Sequence, residues 1–335
     1  MEFEKLEDIP IHLLKSVMEE DYHISAQNII QLGGYSNRTF QIKENNGQEF
    51  IARVAHPHKT EWQLNNEIYV LTQLHENEYH ACPKVIDSVK GSNFTYINFK
   101  TKKCPLQVFE YIPGFVKYNW EERCSKADLQ TIFTYLPDLH EKIGLIPIKN
   151  HTKETTTISS DTLLSSAIEN QPIGNYLAQK EQLFLKKADR LTELQNELIA
   201  NSENSQWIHG DVHLENLLFM SNNEVAFIDF ENVQIAPLEL DIIFSAFRIA
   251  KIGKDDKQLN YHKEDILTAI EAYAEQNKTF IFLVEQLDEK EHLWKALFCL
   301  DQALLYLTQA YKGVWELEEE IGFLACFNEV LAYEE

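Results

Sequence analysis

The apolar residues of this chain follow two different periods, which predict two kinds of secondary structure. One segment has apolar residues at helical intervals, namely Leu64, Ile68, Leu71 and Leu74. The short run Val225–Ile228 instead follows the turn-like residues 221–223 and is typical of a buried strand. Strand and helix patterns mix over the first 112 residues, and helical periodicity dominates afterwards. The pattern therefore predicts an α+β fold.

The first part of the chain contains strand patterns separated by turn residues. Residues 29–43 predict two strands joined at Gly33 and Gly34, and the turn residues Asn45–Gly47 lead to a further strand over 49–54. A strand over 106–112 then ends at Pro113-Gly114. We therefore predict two lobes, 1–112 and 113–335, because the length suffices for about two domains.

Three polar side chains predict a phosphoryl-transfer centre. Asp211 is a candidate base for a hydroxyl proton, and Asn216 follows it at the Asp-x-x-x-x-Asn spacing of a kinase catalytic loop. Asp229 comes directly after the buried strand 225–228, which would hold its carboxylate rigidly. Amide and carboxylate oxygens are hard ligands, so Asn216 and Asp229 are candidate ligands for Mg²⁺.

Each of these strings also has an ordinary structural interpretation. Short sequences such as His-Gly-Asp occur by chance, and an Asp after a strand is often a turn former or helix cap. The order of all three residues, with strand 217–219 after the loop and strand 225–228 before Asp229, favours the catalytic interpretation.

The motifs resemble the aminoglycoside phosphotransferase and choline kinase superfamily, which are small-molecule relatives of protein kinases. The matching residues are His209, Gly210, Asp211, His213 and Asn216, then Ile228, Asp229, Phe230 and Glu231, then Pro237 and Asp241. The resemblance implies a two-lobed, protein-kinase-like fold with a small β-rich N-terminal lobe and a mostly helical C-terminal lobe. It also implies ATP and Mg²⁺ as cofactors, Asp211 as base and Asp241 as a brace for the catalytic loop.

The resemblance further implies a nucleotide site in the first lobe. Gly33, Gly34 and Ser36 correspond to a phosphate-binding turn, although two glycines between strands are also typical of a plain hairpin. Arg53 stands where the family places its phosphate-contacting cation. Its expected partner is Glu67 on the helix that follows, with Glu61 as the competing candidate.

The strand that ends at Pro113-Gly114 corresponds to the family's hinge, at about residues 109–114. Backbone groups near Glu110 to Ile112 would bind the adenine edge, and Phe109 would line the pocket behind it. An ordinary strand and turn is compatible with the same residues.

The net charge and the cysteine positions limit the classes of partner that the chain is expected to bind. The formal net charge of −23 gives no basic face for a nucleic acid, and it would favour a cationic acceptor such as choline, ethanolamine or an aminoglycoside. The five cysteines form no zinc spacing, residues 1–8 are acidic, and no apolar run is long enough for a membrane span. We therefore expect a cytoplasmic protein. The family resemblance adds the expectation that its acceptor is the hydroxyl of a small molecule.

Other functions stay open at this point. A homoserine kinase of the protein-kinase-like type is an alternative with a zwitterionic acceptor. A non-catalytic kinase-fold binding or coat protein is another, although such a protein usually lacks the base or a metal ligand. A protein kinase would have an Ala-Pro-Glu segment, and an unrelated nucleotide enzyme would have a P-loop or Rossmann fingerprint. The acceptor and the oligomeric state are not predicted.

Overall fold

The structure is a computed structural model that describes residues 9–33, 37–119, 122–148, 158–200, 205–251, 260–317 and 321–334. Gly34, Ser36 and residues 1–8, on which some of the predictions rest, lie outside these ranges. The chain divides into two compact units. Among the described residues, the smaller unit comprises 9–114 and 226–232, and the larger comprises 115–225 and 233–334. The chain therefore returns to the smaller unit for one short segment.

The smaller unit is built on a five-stranded antiparallel sheet. The strands are β1 (Ala26–Gly33), β2 (Arg38–Glu44), β3 (Glu49–Val54), β4 (Thr95–Phe99) and β5 (Lys102–Glu110). Their order across the sheet is β1-β2-β3-β5-β4. Two helices accompany them, α1 (Ile11–Tyr22) before the sheet and α2 (Glu61–Glu76) between β3 and β4.

Alternation along β3 and β5 gives this sheet two chemically different faces. Side chains of successive strand residues point to opposite faces. One face contributes to a hydrophobic core shared with α1, which includes Leu14, Met18, Phe50, Ala52, Val54, Leu106 and Val108. Arg53 and Gln107 occupy the intervening positions and are paired across the two strands. The register therefore places a buried cation beside a buried amide on the other face.

A capping box sets the start of α2. The Thr60 side chain accepts a hydrogen bond from the backbone N–H of Gln63, and the Gln63 side chain accepts one from the backbone N–H of Thr60. Glu67 lies two turns into the helix and is buried. The cap thus fixes where this carboxylate lies relative to the sheet.

The larger unit is mostly helical. Its helices are α3 (Lys126–Gly144), α4 (Ser160–Asn170), α5 (Gly174–Ala200), α6 (Leu238–Ala250), α7 (Lys263–Gln276), α8 (Phe282–Tyr311) and α9 (Ile321–Ala332). Strands β6 (Ser205–Ile208) and β9 (Gln234–Pro237) pair antiparallel. A tight turn at 220–224 connects β7 (Leu217–Phe219) to β8 (Val225–Phe227), where the chain passes into the smaller unit.

The predicted α+β class is confirmed, with the strands concentrated in the first part of the chain. Strand β3 and helix α2 lie where the periodicity places them, whereas α1 and β4 were not predicted. Within the described ranges, none of the helices combines the length and hydrophobicity that crossing a membrane requires.

A close backbone approach at Gly174 generates a stability prediction. A Cβ atom on Gly174 would lie 2.0 Å from the backbone oxygen of Ile168, which cannot move without shifting the end of α4. We expect Gly174→Ala to lower the free energy of unfolding by about 1–3 kcal/mol, as overpacking does. The neighbouring exposed residue is the control, because Asn175→Ala should change it by less than about 0.5 kcal/mol. Urea denaturation of both variants measures the difference, and equal stabilities would contradict the prediction.

Candidate active site

In the larger unit, a loop that begins after β6 carries the predicted base. Trp207 and Ile208 are buried and anchor the strand that leads into it. Gly210 has a φ of 78°, a left-handed conformation that glycine adopts without steric cost. The turn at Gly210 thus places Asp211 just after the end of a buried strand.

Asp241, in the first turn of α6, braces this loop. Its two carboxylate oxygens accept hydrogen bonds from the backbone N–H groups of His209 and Gly210, each at 3.0 Å. The His140 ring Nε2 lies 3.1 Å from the same carboxylate. Burial opposes ionisation, but the hydrogen bond from His140 and the positive charges of His140, His209 and Arg248 together outweigh it, so the pKa of Asp241 is lower than its ordinary value. The conformation of the loop therefore depends on the ionised carboxylate of Asp241.

The Asp211 carboxylate lies among basic groups of its own unit. The Arg248 Nε atom is 3.5 Å from Oδ1, and the His213 Nε2 atom is 3.8 Å from Oδ2. Burial lowers the pKa of His213, which favours its neutral form. The backbone N–H of Asp211 donates to Nδ1 of His209 at 3.3 Å. These contacts orient the carboxylate and leave it partly accessible to a substrate.

Asn216 is oriented by the same loop. Its amide nitrogen donates to the backbone oxygen of Asp211 at 3.0 Å, and the residue is buried. Since the nitrogen faces the backbone, the amide oxygen is the atom available to a cation. The spacing of five residues between Asp211 and Asn216 closes this contact through a short 3-10 turn at Leu214–Asn216.

Arg248 also connects the loop to α8, which the sequence analysis did not predict. Its Nη2 atom lies 3.4 Å from the Asp301 carboxylate. Burial raises the pKa of Asp301, and Arg248 opposes that shift only in part. A signal for Arg248 existed, because it follows Asp241 by seven residues and therefore lies on the same face of α6. No local pattern pointed to Asp301.

In the smaller unit, Arg53 is held by three side chains. Nη2 donates to Glu67 and, at 2.7 Å, to Gln107, while Nη1 donates to Asp229 at 2.9 Å. The Phe109 ring lies 5.2 Å from its guanidinium carbon, within cation–π range. Burial opposes the charge, but Glu67 and Asp229 raise the pKa of Arg53. The pairing partner is thus Glu67, whereas Glu61 accepts a hydrogen bond from Tyr96 at 2.8 Å.

One donor of Arg53 remains without an acceptor. Within the described residues, its buried Nε atom has no hydrogen-bond partner. A buried donor that is left unsatisfied costs about 1–3 kcal/mol, so an acceptor for this atom would be stabilising. An anionic ligand would supply one.

Asp229 and Glu231 are two neighbouring carboxylates beside Arg53. Asp229 has a φ of 63°, which places it at a sharp turn after β8. Burial and the negative charge of Glu231 raise the pKa of Asp229, although Arg53 opposes them. Glu231 differs because Lys59, with Nζ 2.6 Å from its Oε2, acts together with Arg53 and Asn37 to outweigh burial, and the pKa of Glu231 is lowered. Of the two carboxylates, Asp229 is therefore the one whose negative charge is not fully offset by neighbouring cations.

The predicted nucleotide-binding residues of the first lobe are only partly described. Gly33 ends β1 opposite Thr39, whereas Gly34 and Ser36 lie outside the described residues. In the predicted hinge, the backbone N–H of Glu110 donates to the Lys84 oxygen at 2.9 Å. The backbone N–H of Tyr111 donates to the Glu49 oxygen at 3.3 Å, and Ile112 is half-buried. Two of the predicted hinge amides are therefore already engaged.

The predicted metal ligands are one carboxylate and one amide. Among the residues that the structure describes, no three His, Cys, Asp or Glu side chains are arranged to hold a metal ion. Asp229 and Asn216 do not require such a group, because bound Mg²⁺ usually keeps several waters and contacts substrate phosphates.

Comparison with known proteins gives one family and several similar structures. Residues 29–275 match the sequence model of the phosphotransferase enzyme family, APH. A comparison with curated protein sequences gives no significant match. Among solved structures, a microcompartment-associated aminopropanol kinase has a TM-score of 0.69 at 16% identity, with 96% of each chain covered.

Two further structures are similar over most of the chain. An amicoumacin kinase in complex with AMP-PNP and Ca²⁺ has a TM-score of 0.68 at 15% identity and covers 97% of this chain and 94% of its own. An ethanolamine kinase from Plasmodium vivax has a TM-score of 0.60 at 15% identity and covers 95% and 86%, respectively. At such identities the similarity shows the fold, and the predicted two-lobed, protein-kinase-like fold is confirmed.

The brace at Asp241 generates a prediction for the site. In Asp241→Asn the amide has one acceptor oxygen, so its NH₂ group would face an N–H donor of His209 or Gly210. We expect the free energy of unfolding to fall by about 2–4 kcal/mol, since a buried charged acceptor is lost. Chemical denaturation measures the loss. The exposed Glu224→Gln variant is the control, and a stability of Asp241→Asn equal to that of the control would refute the bracing role.

Proposed function

Because the chain belongs to the phosphotransferase enzyme family, we propose that it uses ATP and Mg²⁺ to phosphorylate a hydroxyl group of an amine-bearing small molecule. The coarser statement follows from the family itself: the chain is a small-molecule phosphotransferase with an alcohol group as acceptor. Residues 1–112 are assigned to nucleotide binding and 113–335 to catalysis and acceptor binding. The five cysteines, all free and buried, are compatible with a reducing cytoplasm, where we place the enzyme.

The observation that carries the proposal is the buried Arg53 between Glu67, Gln107 and Asp229. A guanidinium held by several acceptors in a fixed orientation is suited to phosphate oxygens. Its unsatisfied Nε atom marks a direction in which an anion would complete the hydrogen bonding. We assign Arg53 to the nucleotide phosphates and Glu67 to positioning Arg53.

The charge balance of the smaller unit favours a cation beside Asp229. Burial and Glu231 disfavour a negative charge on Asp229, and a divalent ion would reverse that effect. We assign the Asp229 carboxylate and the Asn216 amide oxygen to Mg²⁺. When bound, Mg²⁺ supplies charge neutralisation for the phosphate oxygens during transfer.

The Asp211 carboxylate is assigned to the acceptor hydroxyl. The hydroxyl oxygen forms a bond to the γ-phosphorus while the bond between that phosphorus and the β,γ-bridging oxygen breaks. The hydroxyl proton passes to Asp211, and ADP leaves with the bridging oxygen. Arg248 and His213 position the base, and Asp241 fixes the loop from which it projects.

The acceptor class is supported by charge. The net charge of −23 attracts cations to the protein. Asp301 lies against Arg248, which in turn lies against Asp211, and its side chain is 39% exposed. A carboxylate in this position is suited to an ammonium group. The similar structures include kinases named for aminopropanol and ethanolamine, which carry both an amine and a hydroxyl.

The proposed chemistry is tested by ATP consumption against an acceptor panel. The panel contains ethanolamine, choline, aminopropanol, homoserine, thiamine, a neutral sugar and an aminoglycoside. We expect one amine-bearing member to stimulate Mg²⁺-dependent ADP release strongly. In Asp211→Asn this release should fall by about 10³-fold or more, while calorimetric ATP affinity stays within about threefold, because the base is lost and the nucleotide contacts are kept.

Three results would redirect the assignment. Equal loss of ATP affinity in Asp211→Asn would argue against its role as base. Preference for homoserine would favour a zwitterionic acceptor. Silence across the panel, together with no rise in melting temperature on adding Mg²⁺ and ATP, would favour a non-catalytic binding protein.

The acceptor role of Asp301 generates a separate prediction. Asp301→Asn should raise the KM of the preferred amine acceptor by about tenfold or more, because a charge-assisted hydrogen bond is worth about 1.5–3 kcal/mol. The KM for ATP should not change. Steady-state kinetics with the amine and with its hydroxyl analogue that lacks the amine separate the two effects. An identical change for both acceptors would contradict recognition of the ammonium group.

A further inference from the structure

Lys59 is a buried cation that none of the assigned roles uses. Its side chain is 8% exposed, and it lies immediately before Thr60, the residue that caps α2. Lysine is rarely buried unless it is paired, and here the partner is Glu231 at 2.6 Å. The backbone of Lys59 directly precedes the helix cap, whereas its four-carbon side chain has several rotatable bonds that can redirect the ammonium group.

Arg53 and Lys59, the two cations near Asp229 and Glu231, differ in which of their donors are occupied. Both donors of Arg53 Nη2 are taken, by Glu67 and Gln107, and Nη1 is bound to Asp229. The Lys59 ammonium group has three donors, and within the described residues its hydrogen-bond acceptor is Glu231. Lys59 therefore has two further donors for a new anionic partner, in addition to the unsatisfied Nε atom of Arg53.

Glu231 is able to release Lys59 and still keep a hydrogen-bond donor. The oxygen that binds Lys59 also accepts a hydrogen bond from the Asn37 amide at 3.0 Å. Asn37 is buried, so this second bond is shielded from water. If Lys59 turns to another anion, Asn37 continues to satisfy the Glu231 carboxylate.

The charges around Lys59 also require such a change when a polyphosphate binds. Two cations, Arg53 and Lys59, lie among three carboxylates, those of Glu67, Asp229 and Glu231. A nucleoside polyphosphate adds several negative charges to an environment in which the carboxyl groups already outnumber the two cations. Attraction then depends on a cation that is free to face the phosphates.

We propose that Lys59 is a second phosphate-binding cation of the smaller unit, which Glu231 holds in the absence of nucleotide and releases to a nucleoside polyphosphate. This inference rests on the proposed use of ATP and deepens it. Glu231 acts here as a positioning residue, and its carboxylate competes with the nucleotide for the same ammonium group.

A double-mutant cycle tests the proposal by isothermal titration calorimetry of ATP and AMP in the presence of EDTA, so that no metal contributes. We expect Lys59→Met to weaken ATP binding by about tenfold, since one hydrogen bond between charged groups is lost. AMP, which lacks the β- and γ-phosphates, should change by less than about twofold. Lys43→Met is the matched control, because Lys43 belongs to the same unit, pairs with Glu49 at 3.2 Å and is exposed.

Glu231→Gln provides the test of competition. It should strengthen ATP binding severalfold in the wild-type background and have no such effect when combined with Lys59→Met. A gain of equal size in both backgrounds would mean that Glu231 acts only through its own charge, and it would overturn the proposal.

The remaining outcomes are equally decisive. An unchanged ATP affinity in Lys59→Met, or an equal loss for ATP and AMP, would overturn the phosphate contact. Wild-type protein that binds ATP neither in EDTA nor with Mg²⁺ would overturn the proposed function as well, which distinguishes the two failures. If it binds ATP only with Mg²⁺, the same cycle is measured with Mg²⁺. Thermal melting checks that each variant is folded, and Lys59→Gln, which still donates to Glu231, replaces Lys59→Met if the latter does not fold.

Discussion

The burial of Arg53 is the constraint on which the smaller unit depends. Arg53 is 6% exposed, so its guanidinium has lost most of its hydration, and only well-placed acceptors offset that cost. The acceptors come from three separate segments: Gln107 from the neighbouring strand, Glu67 from the capped helix, and Asp229 from residues that follow far along the chain. The positive charge of Arg53 therefore links three features: the sheet register, the start of α2 and the packing of residues 226–232 in the smaller unit.

The larger unit also contains a buried charged group, but this group is an anion. Asp241 is a buried carboxylate, and its donors are two consecutive backbone N–H groups and an imidazole. Because the two backbone donors belong to the loop itself, ionisation of Asp241 and the conformation of the loop are coupled. Each unit thus has a charged centre whose partners are fixed before any ligand arrives, which is the arrangement that electrostatic preorganisation requires.

The sequence predicted those parts of the site that are encoded locally. The spacing of Asp211 and Asn216 is short enough to close through a single turn, and alternation along the strand identified β3. Partners that depend on tertiary packing were missed. Gln107, Lys59 and Arg248 each meet a residue more than 30 positions away, and no periodicity encodes such a distance. Glu231 belongs to the motif after the second strand, but its partners in the structure, Lys59 and Asn37, were not predicted.

The return of residues 226–232 to the smaller unit has a consequence for synthesis of the chain. An N-terminal fragment ending near residue 114 would contain the whole five-stranded sheet but would lack Asp229, so Arg53 would be buried with a partner missing. A ribosome adds about 5–20 residues per second, and the missing segment emerges more than 100 residues after the sheet is complete. For several seconds, the nascent sheet must therefore hold a cation that its final counter-charge has not yet reached.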